Sequence, residues 1–434
     1  MKLWNKDNTE TTAQTEAFTV GRDREFDLQL AEYDVLGSIA HVTMLGETGL
    51  MSAADAAKAV EGLQSILSDV RAGRFTIEDG VEDVHSQVEM LLTQRIGEAG
   101  KMIHSGRSRN DQVAVDIKLF LRASITTIAS DVKDLFDLLT ERSEALKDIK
   151  LPGYTHLQVA MPSSFGLWLG AYAESLVDDT EMLAAAFAIA NKNPLGSGAG
   201  YGSSFPLNRR RTTELLGFAT LNWNAVYAQM TRGKTEKITA MAMASVAATL
   251  SRLSMDACLY LNQNFGFISF PESLTTGSSI MPHKKNPDIF ELIRAKCNRI
   301  QAIPNELTLL VNNLPSGYHR DMQLTKEILF PAITELRQCL QMMLVMIRHM
   351  EVKTDILKQD IYTYIFSVEA VNQLVNQGLP FREAYRQVGN DIQAGKFRFD
   401  PDTPLQHSHE GSIGNLCTGE IRAEMKKSLA KLGL

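Results

Sequence analysis

One unbroken helical pattern runs from about residue 110 to residue 148, and nothing else in the sequence limits the fold so strongly. A helix of ~39 residues is roughly 58 Å long at ~1.5 Å per residue. Further helical patterns run near 27–46, 52–71, 162–191, 231–265, 286–312 and 323–350, with several short helices after 360. Strand signals are scarce. The expected fold class is therefore all-α, organised round a central bundle of long helices. Lys237 to Leu261 is rich in Ala, Met and Leu and apolar round nearly its whole circumference, the pattern of a helix buried on all sides. A chain of 434 residues is long for one compact domain. Composition shifts near 100–109 and 352–359 divide it into 1–106, 107–355 and 356–434: an N-terminal helical domain, the bundle, and a small C-terminal helical domain. No internal repeat is evident.

Apolar residues make up 44% of the chain and charged residues 22%, as in ordinary globular proteins. The net charge of −7 argues against a nucleic-acid or anionic-membrane partner, because both require a basic face. No run approaches the ~18 apolar residues of a membrane span. The opening MKLWNKDNTETTAQTEAF lacks the apolar core of a signal peptide. Cys258, Cys297, Cys339 and Cys417 lie far apart with no C-x-x-C pair. Reduced cysteines in a cytoplasmic protein are the expectation.

Three polar clusters sit at the ends of long helices: HSGRSRNDQ (His104–Gln112), GYTHLQ (Gly153–Gln158) and TTGSSIMPHKKNP (Thr275–Pro287). In the third, Asn286 is suited to cap the following helix, Pro287 to its first position and Asp288 to its first turn. Capping leaves Gly277, Ser278, Ser279 and two lysines unexplained. Either they form a solvated basic turn, or ammonium, amide and backbone N–H groups converge on an anion. His156 reads as a satisfied core histidine or, beside Thr155 and Gln158, as part of a small-molecule site. Arg107, Arg109, Asn110 and Asp111 read as a capping turn, with Asn110 or Asp111 as the cap, or as a carboxylate-binding surface. The glycine-rich PLGSGAGYGSSF (Pro194–Phe205) follows a helix rather than a strand, so a wide turn is expected there and not a dinucleotide loop.

The first two clusters flank the 110–148 helix. Within one chain its length keeps them apart, so a site using both needs a second, antiparallel chain. An oligomer with shared sites is the expectation.

GSSIMPHKKNP resembles the signature loop of the fumarase/aspartase superfamily. SGRSRNDQ and PGYTHLQ resemble the matching segments of its argininosuccinate lyase family, as do FDLQLAEYDVLGSIAH and LPSGYHRDMQLTKE. The resemblance spans nearly the whole chain. It implies a three-domain all-α subunit and a homotetramer whose sites are each shared by three chains. The implied reaction splits argininosuccinate into arginine and fumarate by elimination, without metal or organic cofactor.

By this resemblance Ser278 is the base, Lys284 and Asn286 hold the developing charge, His156 serves the leaving guanidinium as acid or by ordering water, and Glu291 orients His156. Glu291 equally suits a first helical turn for its effect on the helix dipole. The matching binding positions are Asp27, His85, Arg109, Asn110, Thr155, Tyr318, Gln323 and Lys326. Asn110 and Thr155 suit carboxylates, Lys326 supplies a charge, and Asp27 meets the arginine portion. The chain departs from the family pattern at Leu3-Trp4-Asn5-Lys6, Asp23, Met161 and Arg320. Asp23 stands where a small residue is usual and adds charge complementarity toward a guanidinium. A sister lyase releasing fumarate from another substrate is the alternative enzyme. A crystallin-like structural protein is the other class, and packing alone does not require Ser278, Lys284, Asn286, His156 and Glu291 together.

Overall fold

The computed structural model describes residues 13–434, so the Leu3-Trp4-Asn5-Lys6 segment lies outside the described residues. The chain begins with α1 (Ala13–Val20), α2 (Asp23–Asp27), α3 (Ala31–Glu47), α4 (Ala53–Arg71), α5 (Val84–Ile96) and α6 (Arg109–Ala145). A hairpin of β1 (Lys150–Thr155) and β2 (Gln158–Ser164) leads to α7 (Phe165–Ala190), α8 (Arg209–Leu215), α9 (Ala225–Met230) and α10 (Lys234–Leu261). Then come α11 (Asp288–Ile300), α12 (Ile303–Leu310), α13 (Thr325–His349), α14 (Ser367–Asn376), α15 (Phe381–Gln393) and α16 (Thr418–Ala430). The fold is all-α, with three two-stranded sheets among the described residues.

Two compact units can be distinguished. The first comprises Met1–Ile128, Met182–Ser245 and Arg299–Leu336, and the second Ala129–Glu181, Val246–Asn298 and Arg337–Leu434. In the first, α3, α4 and α5 bury Val35, Val42, Leu45, Leu63, Ile66, Val88 and Leu92 against one another. Gly46 permits this approach: a Cβ there would lie 2.7 Å from that of Ala56. The second is rich in aromatic side chains. Trp168 and Tyr172 both donate to the Asp256 carboxylate, at 3.0 and 2.6 Å, and Trp168 packs on Tyr260, itself against Phe267. Near the C-terminus α14 and α15 enclose a small core of Val371, Ala384, Val388 and Phe397.

The long helices follow the sequence pattern, with instructive exceptions. The expected 286–312 helix is two, α11 and α12, because Pro304 lacks an N–H and sits in the first turn of a new helix. α5 escapes the apolar pattern, yet Asp83 starts it by accepting the Ser86 N–H at 2.8 Å. The β1–β2 hairpin replaces an expected interhelical loop. α10 is not buried on all sides within this chain. Met241, Ala248, Arg252 and Met255 line one exposed stripe, the two methionines each 42% exposed. Contrary to the expectation that no segment approaches a membrane span, Lys234–Leu261 and Arg320–His349 are long and apolar enough for one. Both are partly packed inside the protein, with 56% and 44% of their apolar windows buried.

The cap of α6 is Ser108 rather than Asn110 or Asp111. Ser108 Oγ accepts the Asn110 N–H at 3.3 Å while Asp111 Oδ1 accepts the Ser108 N–H at 2.9 Å, a reciprocal capping arrangement. Asp111 Oδ2 also accepts the Gly196 and Gly198 N–H groups, both at 2.9 Å. Gly196, Gly198, Gly200 and Gly202 all have positive φ, so the glycine-rich stretch is the wide turn expected, and its amides enclose a carboxylate of the protein itself. Removing Asp111 strands three N–H groups. Asp111→Ala should lower the unfolding free energy by about 3–5 kcal/mol in urea titration; a loss below about 1 kcal/mol would show that these donors find other partners.

Candidate active site

Helix ends in the first unit converge on a cleft of about 210 Å³. Asp23 and Asp27 come from α2, Glu82, Asp83 and His85 from the start of α5, and Arg109 and Asn110 from the start of α6. Tyr318, Arg320, Gln323 and Lys326 close it from the turn before α13 and that helix's first turn, and Arg232 also lines it. Of the eight binding residues expected from sequence, seven line this cleft: Asp27, His85, Arg109, Asn110, Tyr318, Gln323 and Lys326. Thr155 does not line it and belongs to the second unit, as do Ser278, His156, Lys284, Asn286 and Glu291.

Local bonding fixes the cleft's charges. Asp83, the cap of α5, takes a 3.0 Å contact from Arg109, whose guanidinium also reaches Glu82 at 3.3 Å and donates to Ser86 Oγ at 2.7 Å. Arg320 Nη2 lies 3.4 Å from Glu82 and donates to the Thr19 carbonyl at 2.9 Å. Gln323 donates to the Thr19 and Val20 carbonyls, at 3.1 and 3.2 Å. Lys326 Nζ lies 2.5 Å from both Asp23 Oδ1 and Asp27 Oδ1. Burial disfavours its ammonium, but Asp27 and Asp23 outweigh that and hold its pKa above the ordinary value. The charge expected of Lys326 is thus already shared between two carboxylates of the protein.

Behind His85 lies a sealed charge cluster. Its Nδ1 is 2.7 Å from Asp34 Oδ1 and 3.6 Å from Asp116 Oδ2, and Gln112 donates to the same Asp34 oxygen at 2.7 Å. Burial alone would lower the His85 pKa, but Asp34, then Asp83 and Asp116, raise it to about 9. Burial and then the Asp34 charge push Asp116 well above the carboxylate range. Asp34, His85 and Asp116 each offer a ligand atom, all within 4.8 Å of one another, a spacing a divalent ion could span. The 2.7 Å His85–Asp34 contact is a hydrogen-bond distance, so an imidazolium proton satisfies the pair directly.

In the second unit, His156 and Leu157 form the two-residue tip of the β1–β2 hairpin, Thr155 pairing with Gln158. Their φ values are +54° and +57°, the left-handed backbone a tight primed hairpin turn demands, which costs a side-chain-bearing residue about 1–2 kcal/mol. The hairpin is held near its tip by Tyr154 against the Tyr362 hydroxyl at 3.1 Å and at its base by Lys150 on the Pro401 and Thr403 carbonyls. The tip is left in solvent, with Leu157 77% exposed.

The Thr275–Pro287 stretch folds back on itself. Asn286 N–H donates to the Thr276 carbonyl at 2.8 Å, and its side-chain amide to Thr276 Oγ1 and the Gly277 carbonyl at 3.3 and 3.4 Å. Asn286 therefore ties the loop's ends together instead of capping α11, which starts at Asp288. Inside this closed loop, Ser278 Oγ accepts the Met281 and Ile280 N–H groups at 3.1 and 3.4 Å. Lys284 and Lys285 are exposed, Lys285 being 3.5 Å from Glu272. Glu291 is exposed in the first turn of α11. Gly277 has no positive φ, and a Cβ there would meet nothing within 4 Å, so this chain's own backbone does not require the glycine.

Sequence reasoning did not place Glu82, Asp83 and Arg232 in a site, nor Asp34 and Asp116 behind it. The first two had a signal in their adjacency to His85 within EDVHSQVE. Asp34 and Asp116 had one too: a carboxylate on the apolar face of a helical pattern must find a partner.

A family profile described as Lyase matches residues 8–302. The argininosuccinate lyase of Bacteroides fragilis is 58% identical over 428 residues, covering 99% of this chain and 95% of that one. That of Bacteroides thetaiotaomicron is 58% identical over 426 residues, covering 98% and 95%. A crystal structure of EDDS lyase in complex with formate superimposes with a TM-score of 0.76 over 98% of this chain and 91% of that one, at 22% identity.

The raised His85 pKa gives a pH signature of folding. Its ion pairs contribute fully below the ordinary value of 6.5, and their contribution is lost as pH rises through about 9. Unfolding free energy from urea titrations should therefore fall between these limits, and His85→Gln should flatten the fall. An equally steep fall in the variant would assign it to other groups.

Proposed function

The chain belongs to the argininosuccinate lyase family of the fumarase/aspartase superfamily, and from that premise we propose that it splits argininosuccinate into arginine and fumarate in arginine biosynthesis. The observation that carries the chemistry is the pair of N–H groups from Ile280 and Met281 aimed at Ser278 Oγ. A serine is a poor base unless its alkoxide is favoured, and two convergent backbone donors favour it. Ser278 takes the proton from the carbon beside a carboxylate, and negative charge spreads onto that carboxylate. Lys284 and Asn286 hold this charge; one preorganised donor of that kind is worth roughly 3–4 kcal/mol. Collapse of the carbanion forms the fumarate double bond, breaks the carbon–nitrogen bond and returns a proton to the guanidino group. His156 supplies that proton or orders the water that does, with Glu291 as its orienting carboxylate. Asn110 and Thr155 hold carboxylates, Asp27 meets the arginine portion with Lys326 supplying a charge beside it, and Arg109, Tyr318, Gln323 and His85 complete the binding surface.

The working form is a cytoplasmic homotetramer with sites shared between subunits, each subunit divided functionally at 1–106, 107–355 and 356–434. α6 is continuous over 37 residues, roughly 55 Å at ~1.5 Å per residue, with Asn110 in its first turn and His156 beyond its last. The hairpin tip is strained and exposed, and Ile280 beside Ser278 is 82% exposed. Met241 and Met255 of α10, Leu292 of α11 and Met342 of α13 leave apolar surface on the long helices. These features fit surfaces completed by other copies.

Fumarate absorbance gives the direct assay, with argininosuccinate and then adenylosuccinate, aspartate and malate as substrates. Activity confined to one of the latter would transfer the protein to a sister activity, and silence on all would favour a structural role. Ser278→Ala should lower kcat by about 100- to 10,000-fold with fold and oligomer intact; substantial residual activity would remove Ser278 as the base. Mixing inactive Ser278→Ala with inactive Arg109→Ala, followed by subunit exchange, should restore turnover, since some shared sites then draw both intact residues from different chains. No recovery would place both residues of each site in one chain.

A further inference from the structure

The charges lining the cleft are balanced except at one end. Glu82 and Asp83 are answered by Arg109 and Arg320, and Arg232 by Glu236 at 3.0 Å. Asp23 and Asp27 share a single ammonium, that of Lys326. Asp27 has a further partner, since its Oδ2 accepts the Val84 N–H at 3.3 Å. Asp23 is the underused member. Its buried Oδ1 lies 2.5 Å from Lys326 Nζ and has no backbone donor of the kind that Val84 gives Asp27. The His85 imidazolium that also faces Asp23 is already paired with Asp34 at 2.7 Å, so this end of the cleft presents two carboxylates to the one cation they touch, and one positive charge from a ligand would neutralise it. A neutral amide there would leave the carboxylates facing each other, and an anion would be repelled.

Resting on the lyase reading above, we propose that Asp23 is a specificity-determining residue that joins Asp27 in receiving the α-ammonium of the substrate's amino-acid end, in place of the guanidinium expected from the sequence. The pair selects substrates with a free amine over those in which that nitrogen is acylated. Lys326 then serves as the fixed counter-ion that keeps two carboxylates tolerable in one buried place. The groups facing Asp23 are Asp27 on its own helix, Lys326 on α13 and His85 on α5. Burial first and the Asp27 charge second raise its pKa to about 6, against the pull of Lys326 and His85. Below that value Asp23 carries a proton and no longer attracts a cation, so amine binding weakens as pH falls through about 6.

The test compares argininosuccinate with its Nα-acetyl derivative, reading kcat and KM separately for the wild type, Asp23→Asn and Asp23→Ser. Asp23→Asn keeps the shape and relieves the repulsion by Asp27, so it should fold with an unchanged or higher Tm, and Asp23→Ser provides a smaller side chain at the same place. The wild type should prefer the free amine. Both variants should raise KM for argininosuccinate by about tenfold or more, as expected for losing a charge-assisted contact, while kcat stays within about threefold. Their preference over the acetylated compound should shrink accordingly, and the rise of wild-type KM below pH 6 should vanish. An unchanged preference and pH profile in both variants would overturn the role of Asp23. Wild-type failure to release fumarate from argininosuccinate would instead overturn the lyase reading, and this assignment with it.

Discussion

The N–H groups at the start of α6 need acceptors, and the way they are satisfied organises much of the first unit. Ser108 and Asp111 cap one another reciprocally, and the second Asp111 oxygen gathers the amides of the glycine-rich turn. With the helix start fixed, Arg109 is directed onto the cap of α5, and Asn110 lines the cleft beside it. Further along the helix, Gln112 donates to the Asp34 carboxylate and Asp116 approaches the His85 imidazole. Each of these groups lies within two turns of the same helix end. Their relative positions are thus set by helical geometry rather than by a flexible loop.

Electrostatic economy explains the cleft. A buried charge must be paired or must lose its proton, and nearly every charged group in the cleft is met by an opposite one from a different element. Under the proposed function, binding here would exchange protein partners for ligand groups, and the cleft would discriminate by which charges it leaves imperfectly matched. The Asp23–Asp27–Lys326 group is the clearest mismatch. The proposed catalytic loop follows a different rule. It is exposed and closed by Asn286, and it concentrates backbone donors on one hydroxyl.

Left-handed backbone at His156 and Leu157 gives the hairpin tip a conformational cost that no contact within this chain repays visibly, since the tip is exposed. Strain held in an exposed, histidine-bearing turn is consistent with the role proposed for His156. Gly277 is likewise not required by its own chain, since a Cβ there would meet nothing within 4 Å.

Helical periodicity by itself determined the all-α class and the long helices within a few residues, because amphipathic burial is written at a spacing each helix carries locally. The resemblance to the lyase family pointed to seven of the cleft's lining residues, and they come together because the helix ends that carry them converge. The hairpin was illegible because its turn is His-Leu rather than the asparagine–glycine type that announces a primed turn. Asp34 and Asp116 were illegible as a pair because 82 residues of chain separate them. Whether such carboxylates repel each other, share a proton or hold an imidazolium depends on distance and burial, and only tertiary structure sets those. The same holds for Lys326: sequence supplies its charge, but folding decides that two carboxylates already share it.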